Sequence, residues 1–124
     1  MRAEIINDLA VCVLQYQAQV KMFHWQTTSY SMHVALNTLY EYLIKANDKL
    51  VEAAMGVYGR PSVQGRHLLL EDTTSARTVG SFLQAKVTEF TAFRSKLSQH
   101  SDLQNVIDSI LAMTHRTLYR LTLH

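Results

Sequence analysis

The stretch FHWQTTSYSMHVALNTLYEYLIKANDKLVEAAMG, residues 23–56, decides which fold this chain can adopt. A cluster of hydroxyl residues at 27–29 lies between two apolar segments, and hydroxyl side chains favour the N-terminal cap of a helix. Beyond the cluster, apolar residues recur at spacings of three and four, the period of one buried helix face. The stretch therefore predicts a first helix that ends near residue 26 and a second that runs to about Met55.

The rest of the chain repeats this pattern. A first helix is predicted over residues 3–26, a third from a capping cluster at 72–75 to about residue 99, and a fourth after a break at 100–101 with Ser101 or Asp102 as its cap. Three glycines and the single proline fall within 56–65. They predict that the second helix stops there and that an irregular connection crosses the length of the bundle.

This reading gives an all-α, four-helix bundle formed by one domain over residues 1–124. Its one longer connection lies between the second and third helices, which is the ferritin-like pattern, although other bundles have the same number of helices. A short apolar run at 68–70 is expected to dock the connection onto the bundle.

Composition narrows the classes of function. The net charge is +2, and the twelve lysines and arginines are scattered, so DNA binding is expected to be weak or absent. The lone Cys12 cannot form an intrachain disulfide, which suits a reducing compartment and predicts a cytoplasmic protein. No apolar run is long enough for a membrane span, and no secretion signal is evident, so no membrane association is expected.

Candidate metal ligands lie on the predicted second helix. Asp48 and Glu52 are four residues apart, so both carboxylates point to one side of the helix and can hold the same cation. His33 lies on the same side but fifteen residues earlier, roughly 22 Å along the axis. One chain therefore cannot bring His33 and Asp48 to one metal, whereas a twofold axis across two antiparallel copies of this helix can.

Imidazole and carboxylate ligands in an incomplete shell suit iron, and the same set would accept zinc or manganese. Taken singly, these residues have ordinary explanations. His24 beside Trp25 at a helix end can be a capping or packing residue, and the carboxylate pair can be a solvated face. The prediction depends on the pattern as a whole.

The segment from Phe23 to Gly56 resembles the ferroxidase segment of the Dps-type miniferritins. The shared features are a His-Trp pair that ends the first helix, a second histidine that opens the next helix, and an Asp and a Glu further along it. The resemblance implies that His24 and His33 of one chain bind iron together with Asp48 and Glu52 of its twofold mate.

The same resemblance implies a ferroxidase-type oxidoreductase. By this resemblance, ferrous iron would be oxidised by peroxide or oxygen at these interfacial residues and stored as ferric mineral inside a hollow shell of twelve subunits, which would protect the cell from oxidative damage. Trp25 and Asn37 are the candidates for a supporting role next to the ligands.

The chain departs from the family pattern at three places. Asn37 replaces an acidic residue four positions after the second histidine, which would weaken or remove a second iron position. The loop between His24 and His33 is shorter, and the lysine-rich tail that many members use on DNA is missing. Small tail-less relatives occur among tailed-phage proteins, so a phage-encoded protein in the host cytoplasm is an alternative origin.

Three other functions stay open at this point. The chain could be a structural ferritin-like assembly protein with weak or no ferroxidase activity, as Asn37 would suggest. It could also be a nucleic-acid-binding particle, or a helical adaptor in which the four candidate ligands never meet.

Overall fold

The computed structural model describes residues 2–123, so the termini of the predicted domain, Met1 and His124, lie outside it. Within this range the chain is all-helical and has no strand, which confirms the predicted four-helix bundle. The helices are α1 (Arg2–Gln26), α2 (Tyr30–Tyr58), α3 (Ala76–Lys96) and α4 (Ser101–Arg120). None of these helices is both long enough and apolar enough to cross a membrane.

The observed bounds of α1 and the start of α2 agree with the predicted ones, whereas the end of α2, the end of α3 and the cap of α4 differ. Ser29 caps α2 as expected, because its hydroxyl accepts a hydrogen bond from the Met32 amide. However, α2 continues through Gly56 and ends only at Gly59, whose φ of +86° lies in the left-handed region. A glycine inside a helix costs up to about 1 kcal/mol, and the packing of Val57 and Tyr58 against the core offsets that cost.

The other two changes are small. The third helix ends at Lys96, three residues earlier than predicted, and a turn follows. The fourth helix starts at Ser101 with His100 in the cap position, and the His100 side chain makes no capping hydrogen bond. Neither Ser101 nor Asp102 is therefore the cap.

The core lies between all four helices, with Tyr16 at its centre. The Tyr16 ring is fully buried and packs edge-on against Phe82 and Phe90 of α3. Its hydroxyl lies 2.7 Å from Thr114 Oγ1, and Thr114 in turn donates to the Ile110 carbonyl. The buried hydroxyl of α1 is thus satisfied by a residue 98 positions away on α4.

The connection at residues 59–75 runs along α1 from one end to the other. Asn7 near the start of α1 accepts a hydrogen bond from the Ser62 amide, and Gln26 at its end accepts one from the Thr73 amide. Between them, the Gln19 side chain exchanges two hydrogen bonds with the backbone of Glu71. This confirms that the connection crosses the bundle, and it makes α2 and α3 parallel.

The expected docking of residues 68–70 holds in part, because Leu68 and Leu70 line a hollow together with Leu14 and Tyr40, whereas Leu69 does not. Leu68, Leu69 and Leu70 are 42%, 81% and 46% exposed. Side-chain amides of α1 also hold the backbone of this segment, since Gln15 donates to the Leu69 carbonyl and Gln19 pairs with Glu71. The Leu69 side chain remains at the surface.

Candidate metal centre

The two histidines meet where α1 ends and α2 begins. A loop of three residues, 27–29, reverses the chain so tightly that the rings of His24 and His33 stack, with centroids 3.8 Å apart and planes inclined by 22°. His24 is 8% exposed, whereas His33 is exposed on the surface. The tight turn of this loop therefore brings the two imidazoles into contact.

A reciprocal pair of hydrogen bonds holds these rings. His24 Nδ1 donates to the carbonyl oxygen of His33 at 2.8 Å, and His33 Nδ1 donates to the carbonyl oxygen of His24 at 3.0 Å. The His24 carbonyl is in the last turn of α1, where carbonyls lack a partner within the helix. Because a carbonyl oxygen can only accept, both Nδ1 atoms carry hydrogen, and each neutral ring has its lone pair on Nε2.

This arrangement is the one that histidine metal ligands normally have. A ligating imidazole binds the metal through one nitrogen and donates from the other to a carbonyl or carboxylate, which fixes both the tautomer and the ring orientation. Here both histidines have that second partner in the chain itself. Their Nε2 atoms are the two nitrogens that could bind a cation.

The two carboxylates meet at a different place on α2. Asp48 and Glu52 are both exposed, and the pKa of Glu52 is raised by a hydrogen bond with Asp48 and by the repulsion of its charge. The two carboxylates therefore repel each other when both are ionised. A cation bound between them would remove this repulsion.

The chain does not bring the four predicted ligands together. Fifteen residues of continuous helix separate His33 from Asp48, roughly 22 Å of rise. In residues 2–123, no group of three or more histidine, cysteine, aspartate or glutamate side chains is close enough to hold a metal ion. The candidate ligands thus form two separate pairs at different levels of α2, an imidazole pair and a carboxylate pair, which we call the imidazole half-site and the carboxylate half-site.

The two supporting candidates lie on different helices, Trp25 on α1 and Asn37 on α2. Trp25 is 66% exposed, and the Lys21 ammonium lies 5.7 Å from its ring centroid. Asn37, one turn after His33, donates from its amide to Glu41 Oε1 at 3.0 Å. Within one chain neither residue bridges the half-sites.

Comparison with known proteins places the chain in a family. The sequence profile of a family of unknown function (DUF5856) matches residues 24–121, which is most of the chain. The chain belongs to this family. The match includes both half-sites and leaves out most of α1. No curated protein and no solved structure matches the chain.

Sequence reasoning missed a buried polar cluster between α1 and α3. Cys12 donates from its thiol to Glu89 Oε2 at 3.2 Å, and Lys86 Nζ lies 3.4 Å from Glu89 Oε1 and 3.9 Å from the sulfur. Lys86 is only 4% exposed. The sequence contained a sign of this cluster, because Lys86 falls on the buried face of α3 between Leu83 and Phe90, both fully buried. A lysine at such a position must find a partner for its charge.

A second missed residue is Asn47, next to Asp48. Its amide nitrogen donates to the Val13 carbonyl and to Gln17 Oε1, while Oδ1 has no partner in the described chain although the residue is 2% exposed. Since the Val13 carbonyl can only accept, the amide orientation is settled. Asn47 lies on the buried face of α2 between Leu43 and Leu50. An amide at such a position in the sequence indicates a buried polar contact.

Proposed function

We propose that the chain is a ferritin-like, Dps-type iron-oxidising protein whose metal site forms between two copies. His24 and His33 of one copy would bind ferrous iron together with Asp48 and Glu52 of the other. Peroxide or oxygen would oxidise the iron, and the ferric product would be stored as mineral in a hollow shell. The observation that carries this proposal is the reciprocal pairing of the two histidines, which leaves both Nε2 atoms free to bind a metal.

The helix order supports the ferritin-like part of the proposal. The connection at 59–75 returns along α1, so α2 and α3 run parallel while the other consecutive helices run antiparallel. A bundle with one such long crossover is the ferritin-like arrangement.

The ligand chemistry supports the metal. Two neutral imidazoles and two carboxylates suit first-row divalent metals, so iron is the proposed substrate, and zinc or manganese could occupy the same ligands. The carboxylates would offset the charge that rises when ferrous iron loses an electron. The imidazoles would keep the ion in place, because their Nδ1 atoms are already bonded to carbonyls.

Symmetry supports the assembly. The imidazole half-site lies near the start of α2 and the carboxylate half-site lies near its end. A twofold axis perpendicular to α2 brings each half-site of one copy to the opposite half-site of the other, so a dimer has two complete sites. The proposed shell of twelve subunits would consist of six such dimers.

Subunit mixing tests the interfacial site. His33→Ala and Asp48→Ala are each expected to abolish ferrous oxidation above buffer, measured as ferric absorbance after peroxide is added to anaerobically loaded protein. A dimer of the two variants retains one whole site, because His33 comes from one chain and Asp48 from the other. If the two variants are unfolded, mixed in equal amounts and refolded, about a quarter of the wild-type rate should return, since half of the dimers are mixed and each has one of two sites.

The matched control is a mixture of His33→Ala with His24→Ala. Both variants lack a residue of the same half-site, so no mixed dimer contains a whole site and the rate should stay at background. Recovery in this control, or no recovery in the first mixture from correctly folded particles, would contradict the interfacial site.

Asn37 favours a second candidate, a structural ferritin-like assembly with weak or no ferroxidase activity. Its amide bonds to Glu41 where the family resemblance implies an acidic ligand. A large particle in light scattering with no oxidation above buffer would support this candidate. Asn37→Asp would then be expected to raise the oxidation rate.

A further inference from the structure

A long apolar groove lies between α1 and α2, beside the carboxylate half-site. It consists of two hollows that share Leu14 and Gln17 as walls. The hollow next to Asp48 has a volume of about 270 Å³ and includes Ile44 and Asn47 in its lining. We call it the Asp48 hollow. Leu14 and Ile44 are 43% and 38% exposed, so the groove presents apolar surface to solvent.

Trp25 lies at the other end of this face. It is the only tryptophan of the chain, and two thirds of its surface is exposed. An indole has a large apolar body and one N–H donor, so it is stabilised where both the body and the donor find partners. Lys21 is the one neighbour that stacks over it in the described chain, and that lysine lies closer to Tyr40, 4.5 Å from the ring centroid.

The proposed twofold axis brings these two features together. An axis that pairs His33 with Asp48 of the second copy passes between the two α2 helices, level with Tyr40 and Glu41. Lys21 is level with Tyr40, so Trp25 lies one helical turn from the axis toward the histidines. The Trp25 of a second copy then lies one turn from the axis in the opposite direction, level with Ile44 in the wall of the Asp48 hollow.

We infer that the Trp25 side chain of a second copy of this chain fills the Asp48 hollow and anchors the dimer. The inference rests on the antiparallel pairing of α2 that the proposed function requires. A cavity of about 150 Å³ accommodates benzene, so a hollow of about 270 Å³ has room for an indole. The largest exposed aromatic of one copy thereby covers the apolar surface of the other.

The polar lining of the hollow suits the indole N–H. Gln17, Asn47 and Asp48 each carry a side-chain oxygen that can accept a hydrogen bond. Asn47 Oδ1 is buried with no partner in the described chain, and a buried acceptor of this kind costs free energy until a donor reaches it. A second copy supplies such a donor.

The charges on the same face are self-complementary. Lys21 lies beside Tyr40 and therefore close to the axis, where it meets Glu41 of the second copy. At the two ends, the imidazole half-site meets the carboxylate half-site.

Intrinsic fluorescence tests the inference, because Trp25 is the only tryptophan. The full chain is kept in chelator, so that no metal contributes, and its emission and acrylamide quenching are followed over a dilution series with sedimentation velocity in parallel. Association should shift the emission to shorter wavelength and lower the quenching. Trp25→Ala should raise the dissociation constant by about thirtyfold or more, as loss of a buried aromatic anchor does, and Trp25→Phe should raise it less.

Leu14→Glu and Leu69→Glu form a matched pair that places the same charge inside or outside the groove. Leu14 lines both hollows, whereas Leu69 is 81% exposed and lines neither. Only Leu14→Glu should weaken association and leave Trp25 open to quencher. Equal weakening by both variants, or a wild-type dimer in which Trp25 is quenched as in the unfolded chain, would overturn the inference.

The outcome separates from that of the proposed function. A dimer that buries Trp25 but does not oxidise iron would refute the ferroxidase function and leave the anchor in place. A dimer that oxidises iron with Trp25 exposed would do the reverse. A chain that stays monomeric at every concentration, with or without iron, would refute both.

Discussion

The buried thiol of Cys12 allows a quantitative prediction about a protein proposed to consume peroxide. The thiolate, not the thiol, is the nucleophile that attacks peroxide and alkylating reagents. Burial raises the pKa of Cys12 to about 12 from the ordinary 9.0, with a smaller upward contribution from Glu89 and a downward one from Lys86. The side chain is 8% exposed, and its protonated thiol donates a hydrogen bond to the Glu89 carboxylate.

The expected loss of reactivity follows from this pKa. A rise of about three pH units lowers the thiolate fraction at pH 8 by about a thousandfold, and the greater nucleophilicity of a more basic thiolate recovers about twentyfold. Alkylation of the native chain should therefore be at least about fiftyfold slower than that of the unfolded chain. Burial slows the reaction further, because the reagent must reach the sulfur.

Iodoacetamide labelling at pH 8, followed by intact mass, measures this ratio in native buffer and in guanidinium. Glu89→Gln should speed native labelling, because it removes a group that raises the pKa of Cys12. Lys86→Met should slow it, because it removes the charge that lowers that pKa. A native rate within tenfold of the unfolded rate would refute the reasoning, as would changes of the same sign in both variants.

Three further predictions concern stability. Tyr16→Phe should lower the free energy of unfolding by about 1 kcal/mol in urea titrations, because the buried Thr114 hydroxyl loses its donor; no change would mean that this hydrogen bond contributes nothing net. Gly56→Ala should stabilise α2 by about 0.5–1 kcal/mol, since no atom lies within 4 Å of the added methyl. Gly59→Ala should instead cost about 1–2 kcal/mol, because Gly59 has a φ of +86°. Equal shifts of the Tm in the two variants would contradict the assigned end of the helix. The pKa of Glu52 is raised in the folded chain. Metal-free protein should therefore lose stability as the pH rises from the ordinary glutamate pKa through the raised one. Glu52→Gln should remove this part of the pH dependence of the Tm.

Much of the fold could be read from local pattern. The apolar period at three and four residues located all four helices, and the hydroxyl cluster at 27–29 predicted a cap for α2, which the structure assigns to Ser29. The spacing of Asp48 and Glu52 predicted that their carboxylates would interact, and the raised pKa of Glu52 agrees. These features depend on residues within one or two helical turns, so the neighbouring residues in the sequence are sufficient to predict them.

Other features depended on contacts between distant parts of the chain. The sequence placed His24 and His33 near each other but did not show that each Nδ1 donates to the other's carbonyl, because that depends on how tightly the loop at 27–29 turns. Gly56 was read as the end of α2, whereas packing of the following turn against the core carries the helix to Tyr58.

The buried polar groups illustrate the same limit. Lys86 meets Cys12, 74 residues away, and side-chain amides of α1 hold the backbone of the connection at 59–75. The sequence by itself determined which segments are helical and which residues could bind a metal. The tertiary structure decided which polar groups are paired, because a buried donor or acceptor is satisfied by whichever chain segment packs against it, and that choice depends on the whole bundle.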